Sequence, residues 1–336
     1  MRRRCFLRSV IASATALGAA DPRPNPAKLL VVNSVGSTLE ILDARGLTRE
    51  GHVRLSARPR EVAVSADGSM AYVSIYGPGV YGNNPTPGHE IAAIDVRSRA
   101  VVGKIEIAPH HAPHGLAVAP DGLLWATCEA EGAVILIDPA AKTRSGRIAA
   151  TIPVGVKGPH WLALTPDGSK LYAANKQHPL LSVIDTRSRR LAAEIRVPGG
   201  LEGLCVSSDG RRIFAASLVR PSLWVIDPAE DRVVREFALS EPAGRVVATT
   251  DGSTLLVTHY QSGSLGIHDL STLRRLGSVK LGRSPSGLAV SPDGKTAYVA
   301  SWSDGTISSV DLATHRVLRS VPVGDGPDGI AVAGSV

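Results

Sequence analysis

The chain has 336 residues, 43% hydrophobic and 20% charged, with three cysteines and a formal charge of +7. That length buries a sizeable core without disulfides. Arg2, Arg3, Arg4 and Arg8 crowd the first eight positions, so the remainder carries 33 basic residues against 30 acidic ones, a surplus too small to argue for nucleic acid or anionic lipid as a partner.

In chain order, the first feature is RRRCFLR over residues 2–8, followed by the small, apolar run SVIASATALGAA. This pattern resembles a Tat export signal, too short to span a bilayer, with Gly18 and Ala20 small enough for signal peptidase. Cleavage before Asp21 is expected, which leaves 21–336 as one domain in the periplasm or outside the cell. No later segment is apolar for eighteen residues, so no membrane span is expected after export. Cys128 and Cys205 then fall in separate repeats.

From residue 28 onward the chain repeats itself. Asp-Gly pairs begin at Asp67, Asp121, Asp167, Asp209, Asp251 and Asp293, and the last three steps are each 42 residues. A second marker, Ile-Asp or its equivalent, recurs at Asp43, Asp95, Asp138, Asp185, Asp227, Asp269 and Asp311, and settles into the same period. Within the unit 284–325, GLAV and TAYVAS flank SPDGK, a tight hairpin turn, and ISSVDL and VLRSVPV alternate apolar with polar residues. Each unit is four short strands. Four such strands cannot bury both faces alone, whereas radial stacking against like sheets does. The first unit lacks a leading strand and the segment GPDGIAVAGSV (326–336) supplies one, so the expected fold is an all-β, seven-bladed β-propeller closed by its C-terminal strand.

The stretches LAVSPDGKTAYVAS and VDLATHRVLRSVPVG of the last blade, with LALTPDGSKLYAANKQHPLLSVIDTRS of the fourth, resemble the YVTN-repeat β-propellers, the YncE-like group. The resemblance implies the fold over residues 28–336. It says little about function, because related propellers include binding proteins, lactonases, lyases and electron-transfer enzymes.

Counting seven residues back from each turn gives the start of each innermost strand: Arg60, His114, His160, Glu202, Gly244, Ser286 and, in the closing strand, Asp328. These should ring one mouth of the central channel. Arg60 can pair there with Glu61 or Asp328. The loops after the second strands open on the same side and bring Tyr76, Cys128, Glu129, Lys176, His259, Tyr260 and Trp302. The second blade adds YGPGVYGNNPTPGH, a Gly/Pro-rich loop suited to a lid or specificity loop. In PHHAPHG, His110 and His111 belong to the loop between blades and His114 to the ring.

Two chemistries fit this ring. As a binding or interaction module, a monomeric propeller would take a small molecule or a protein at its mouth. As an enzyme, His114, His160 and Glu202, with Cys128 as a possible thiolate, would hold a divalent metal (Zn, Cu, Fe or Ca) in a hydrolase, lactonase or lyase. Without a metal, His114 or His160 could serve as general base with Arg60 stabilising an anion. No nucleotide-binding glycine fingerprint, nucleophile elbow, HExxH or CxxC is present.

Overall fold

The structure is a computed structural model that describes residues 27–80, 82–140 and 147–334; the expected leader and its cleavage site lie outside these. Among the described residues, 28 strands form seven four-stranded antiparallel sheets. The first strand of each sheet touches the first strands of both neighbouring sheets in an unbroken circle. The protein is a seven-bladed β-propeller.

Ring closure is made by β28 (Pro327–Ala333), which pairs antiparallel with β1 (Lys28–Asn33), Lys28 opposite Ala333 and Asn33 opposite Pro327. The first blade thus takes its inner strand from the far end of the chain, which leaves no inner edge unpaired.

Seven apolar clusters hold the ring, one at each seam between blades. Leu30 and Val32 of the first blade pack on Val73 and Ile75 of the second, and Tyr172 and Ala174 of the fourth on Ile213 and Ala215 of the fifth. Both faces of a middle strand are therefore buried, as in Met70–Ile75 and Thr254–His259. The outer strands are largely exposed, as in Arg316–Pro322.

The Asp-Gly turns are built alike. Ser65, Thr165, Ser207, Thr249 and Ser291 each donate a hydroxyl to the turn aspartate at 2.5–2.6 Å. Each hydroxyl oxygen also accepts the backbone N–H of the residue five positions on, Met70 in the first case. The turn glycines take φ of 69–83°, the left-handed region that glycine enters without steric cost. Ala119 replaces the hydroxyl residue in the third blade, where Asp121 keeps the bond from the N–H two residues on, Leu123, that the other turn aspartates also accept. These turns lie at the far end of the innermost strands from the mouth.

Candidate functional site

The innermost strands β4 (Pro59–Val64), β8 (Pro113–Val118), β12 (Pro159–Leu164), β16 (Gly203–Val206), β20 (Val246–Ala248), β24 (Pro285–Val290) and β28 start at one mouth of the channel. A cavity of about 300 Å³ opens there. Its wall includes Arg60, His114, His160, Glu202, Ser286 and Asp328 from the strand starts, with Tyr76, Lys176, Tyr260 and Trp302 from the loops. Val80 brings the long loop of the second blade into the wall. That loop is pinned by Asn84, which donates from Nδ2 to the Tyr76 carbonyl (2.9 Å) and accepts the Gly79 N–H on Oδ1 (3.1 Å).

One residue further along each inner strand, the chain narrows the channel. Gly115, Gly203, Gly287 and Gly329 lie hard against the backbone of the following blade. A Cβ on Gly203 would sit 2.1 Å from the Gly244 carbonyl oxygen, and one on Gly287 2.1 Å from that of Asp328. The other blades carry Glu61, Trp161 and Arg245 at this position, and these side chains fill the space. Arg245 spans the channel to bond the Glu61 carboxylate through Nη2, lies 3.8 Å over the Trp161 ring and donates from Nε to the Ser286 carbonyl at 3.2 Å. Of the three, Arg245 lines the mouth cavity, with Glu61 and Trp161 in contact with its guanidinium. Trp161 and Arg245 lie outside the ring position; their signal in the sequence is one position on, where four of the seven blades carry glycine and Glu61, Trp161 and Arg245 break the pattern.

The wall is a chain of paired charges. Arg60 Nη1 stands 3.3 Å from Asp328 Oδ2, its guanidinium lies over Tyr76 at 5.1 Å and Trp302 at 5.7 Å, and Nη2 donates to the Gly79 carbonyl at 3.4 Å. Arg60 thus pairs with Asp328, and Glu61 is left to Arg245. Lys176 Nζ lies 2.7 Å from Glu202 Oε2, and Glu202 Oε1 lies 3.3 Å from His160 Nε2. The other nitrogen of His160 faces Glu129 Oε1 at 2.5 Å, and the Tyr76 hydroxyl donates to Glu129 Oε2 at 2.7 Å. The His114 and His160 rings are 3.8 Å apart, tilted by 38°. Hydroxyls fix these positions between blades: Thr127 donates to the His160 carbonyl and accepts the Gly115 N–H, and Ser74 donates to the His114 carbonyl.

Burial and the charges of His160, Arg245, Arg60 and Lys176 push the His114 imidazole well below its usual range, so it is neutral. Burial works to raise Glu202, yet the neighbouring His160, Lys176 and Arg245 outweigh it and hold the carboxyl well below normal. Glu61 is pushed up to about 8, mainly by burial, with Arg245 opposing.

Two expected members of the site lie elsewhere. Cys128 is fully buried in the apolar seam between the second and third blades, beside Ile107, Ala126 and Ile135, and burial pushes its thiol far up. An inward-packed residue of a middle strand cannot reach the mouth, so Cys128 is no ligand there. His259 is likewise outside the cavity wall, its Nδ1 directed at the Pro242 carbonyl 3.4 Å away. Glu129 lies just behind the wall. His111 meets Glu131 at 2.8 Å and His110 meets Thr151 at 3.0 Å, both in the loop between blades.

The metal-type donors that converge are His114, Glu129 and His160, whose ligand atoms lie within 4.8 Å of one another. Glu129, not Glu202 or Cys128, completes the set. Two imidazoles and a carboxylate suit Zn, Cu or Fe better than Ca, which wants more oxygens. The buried His114 Nδ1 has no hydrogen-bond partner, but Glu129 and His160 already satisfy each other, so a metal would have to displace that bond.

No protein-family model matches the chain, and no curated protein matches it. Solved structures do. The chain is similar to hydrazine synthase of Kuenenia stuttgartiensis (19% identity, TM-score 0.73, 90% of this chain and 99% of that one). It is also similar to the periplasmic gluconolactonase of Pseudomonas aeruginosa (19%, TM-score 0.75, 92% and 99%) and to the dihydro-heme d1 dehydrogenase NirN (17%, TM-score 0.64, 93% and 76%). At such identities the likeness is one of fold.

Proposed function

We propose that the mouth of the channel is a binding site for a small monoanionic ligand, a hydroxy carboxylate being the best fit. The observation that carries this reading is a pair of unsatisfied guanidinium nitrogens, Arg60 Nε and Arg245 Nη1, both buried and without a hydrogen-bond partner, on side chains that line a cavity of about 300 Å³. A buried donor left unpaired costs about 1–3 kcal/mol, and a carboxylate satisfies two donors at once. The charges agree. Lys176 answers Glu202 and Arg60 answers Asp328, while Glu61, driven towards its neutral form, leaves the Arg245 charge in surplus. Trp302 and the half-exposed Tyr260 offer faces for the uncharged part of the ligand.

A second reading is favoured by the neutral, buried His114 and by the likeness to a gluconolactonase: the site hydrolyses a lactone. His114 would take a proton from water, and the hydroxide would add to the lactone carbonyl with Arg245 beside the developing oxyanion. The ring C–O bond would then break, the proton passing from His114 to the leaving alkoxide. The product is a hydroxy carboxylate, the same ligand class. A metal held by His114, Glu129 and His160 would instead occupy the His114 lone pair, and would itself supply the Lewis acidity that activates water and carbonyl in place of His114 as base. We further propose that the chain is a YVTN-type, YncE-like propeller exported by the Tat route to the periplasm or beyond. No helix among the described residues is long and apolar enough to cross a membrane.

The test is the thermal midpoint of the purified protein with gluconate and, separately, glucose, together with its elemental metal content and its rate on glucono-δ-lactone. The binding reading expects a rise with gluconate alone. Lactone turnover lost in His114→Ala supports the second reading, and stoichiometric metal lost in the His114→Ala, His160→Ala double variant makes it metal-dependent. No response to any of these overturns both.

A further inference from the structure

A second histidine pair lies outside the mouth, in the seam between the fifth and sixth blades. In the sixth blade, β21 (Thr254–His259) pairs with β22 (Ser264–Asp269), His259 opposite Ser264 and Leu255 opposite His268. Gly266 stands midway, on the same face as both histidines because strand side chains alternate. Their rings lean towards each other over it. A Cβ built on Gly266 would meet His259 Nε2 at 2.9 Å and His268 Nε2 at 3.1 Å, so both nitrogens converge on the one point that glycine leaves bare.

The tautomers follow from the backbone. His268 Nδ1 lies 3.0 Å from the Leu273 carbonyl and His259 Nδ1 lies 3.4 Å from the Pro242 carbonyl. A carbonyl only accepts, so each Nδ1 carries the hydrogen and each Nε2 a lone pair. His268 is 5% exposed and its Nε2 is buried with no partner. Around the pair are Leu255, Val257 and Leu273, with Phe237 packed on the same cluster and edge-on to His268 at 6.3 Å between centroids.

We propose that His259 and His268 form a two-coordinate site for monovalent copper. Two neutral imidazole nitrogens are a sufficient donor set for Cu(I), which accepts low coordination. Zinc and divalent copper ask for further ligands, and among the described residues no third His, Cys, Asp or Glu donor joins this pair. Charge points the same way. Arg275, opposite His268 on the outer strand, acts on both imidazoles, and Glu241 acts on His259; a dication in this apolar seam would be poorly compensated. The competing occupant is a water molecule giving one O–H to each Nε2.

The experiment is an anaerobic titration of the folded protein with Cu(I) against bicinchoninate, a chromophoric Cu(I) chelator. The site predicts one equivalent taken from the chelator by wild type and by the His114→Ala, His160→Ala variant, and at least tenfold weaker uptake in His268→Gln and in His259→Gln. Should these variants fail to fold, wild type labelled at histidine keeps the test open: ring Cε1–H resonances of His259 and His268 should move on Cu(I) addition. No uptake by wild type, uptake that vanishes with the mouth histidines, or unmoved His259 and His268 resonances would overturn the proposal.

Discussion

Arg245 of the sixth blade reaches across the channel to Glu61 of the second, 184 positions away in the chain. The pair ties distant blades of the ring beside the mouth cavity, which Arg245 lines. Removing only the carboxyl leaves a buried guanidinium without its partner, a loss of about 3 kcal/mol. Glu61→Ala should therefore cost about that much in urea denaturation. Because Glu61 is pushed towards its neutral form, Glu61→Gln should cost less than half as much at pH 7; equal losses would contradict the neutral assignment.

Acid should weaken the fold in a stated order. His114 has its folded pKa below the unfolded value of 6.5. The unfolded chain thus binds the extra proton first, and stability falls as pH drops below about 6.5, by at most about 1.4 kcal/mol per pH unit for one group. Glu202, held below 4.5, contributes stability above that value and loses it as pH falls through its folded pKa. Glu61 runs oppositely: raised to about 8, its contribution is complete below 4.5 and fades as pH rises towards 8. Between pH 7 and pH 5 His114 and Glu61 therefore oppose each other, and the His114 part is read as a difference: on acidification the thermal midpoint of the wild type should drop relative to that of His114→Phe. An unchanged slope in that variant would remove His114 from the account.

The close approach of neighbouring inner strands makes their glycines irreplaceable. A methyl on Gly203 meets a backbone carbonyl, which cannot swing aside, so Gly203→Ala should cost about 3 kcal/mol. Gly103→Ala, whose Cβ would have nothing nearer than 3.7 Å, should stay within about 0.5 kcal/mol. Equilibrium unfolding of the two variants checks this.

Neither cysteine of the propeller should react in the folded protein. Burial lifts the Cys205 thiol to about 12 and that of Cys128 further, so the thiolate is scarce at pH 8. Ellman's reagent should register both only after denaturant is added; rapid reaction of Cys128 in buffer would place it nearer the mouth than the fold allows.

Much of this architecture is legible in the sequence because repetition is. The interval between Asp67 and its counterparts fixes the register, and counting back from the turns leads to Arg60, His114, His160, Glu202 and Asp328 on one cavity wall. Partnerships are less legible. Glu129 meets His160 across a blade boundary, and Arg245 meets Glu61 across the whole ring, distances no local spacing encodes. Cys128 and His259 hold the same repeat position, yet the side chain there packs into a seam and does not face the channel. Distinguishing a strand's last inward residue from the first residue of the following loop requires the pleat itself.

The central claim, a monoanion held by Arg60 and Arg245 at the channel mouth, is tested most directly by calorimetric titration with gluconate, and with glucose as the uncharged counterpart. Gluconate should bind saturably and one-to-one, more weakly with added salt, and about 30-fold more weakly in Arg60→Gln, the loss of about 2 kcal/mol expected for one charged hydrogen bond, while glucose should not bind. Equal heats for gluconate and glucose, or gluconate binding untouched in Arg60→Gln, would contradict it.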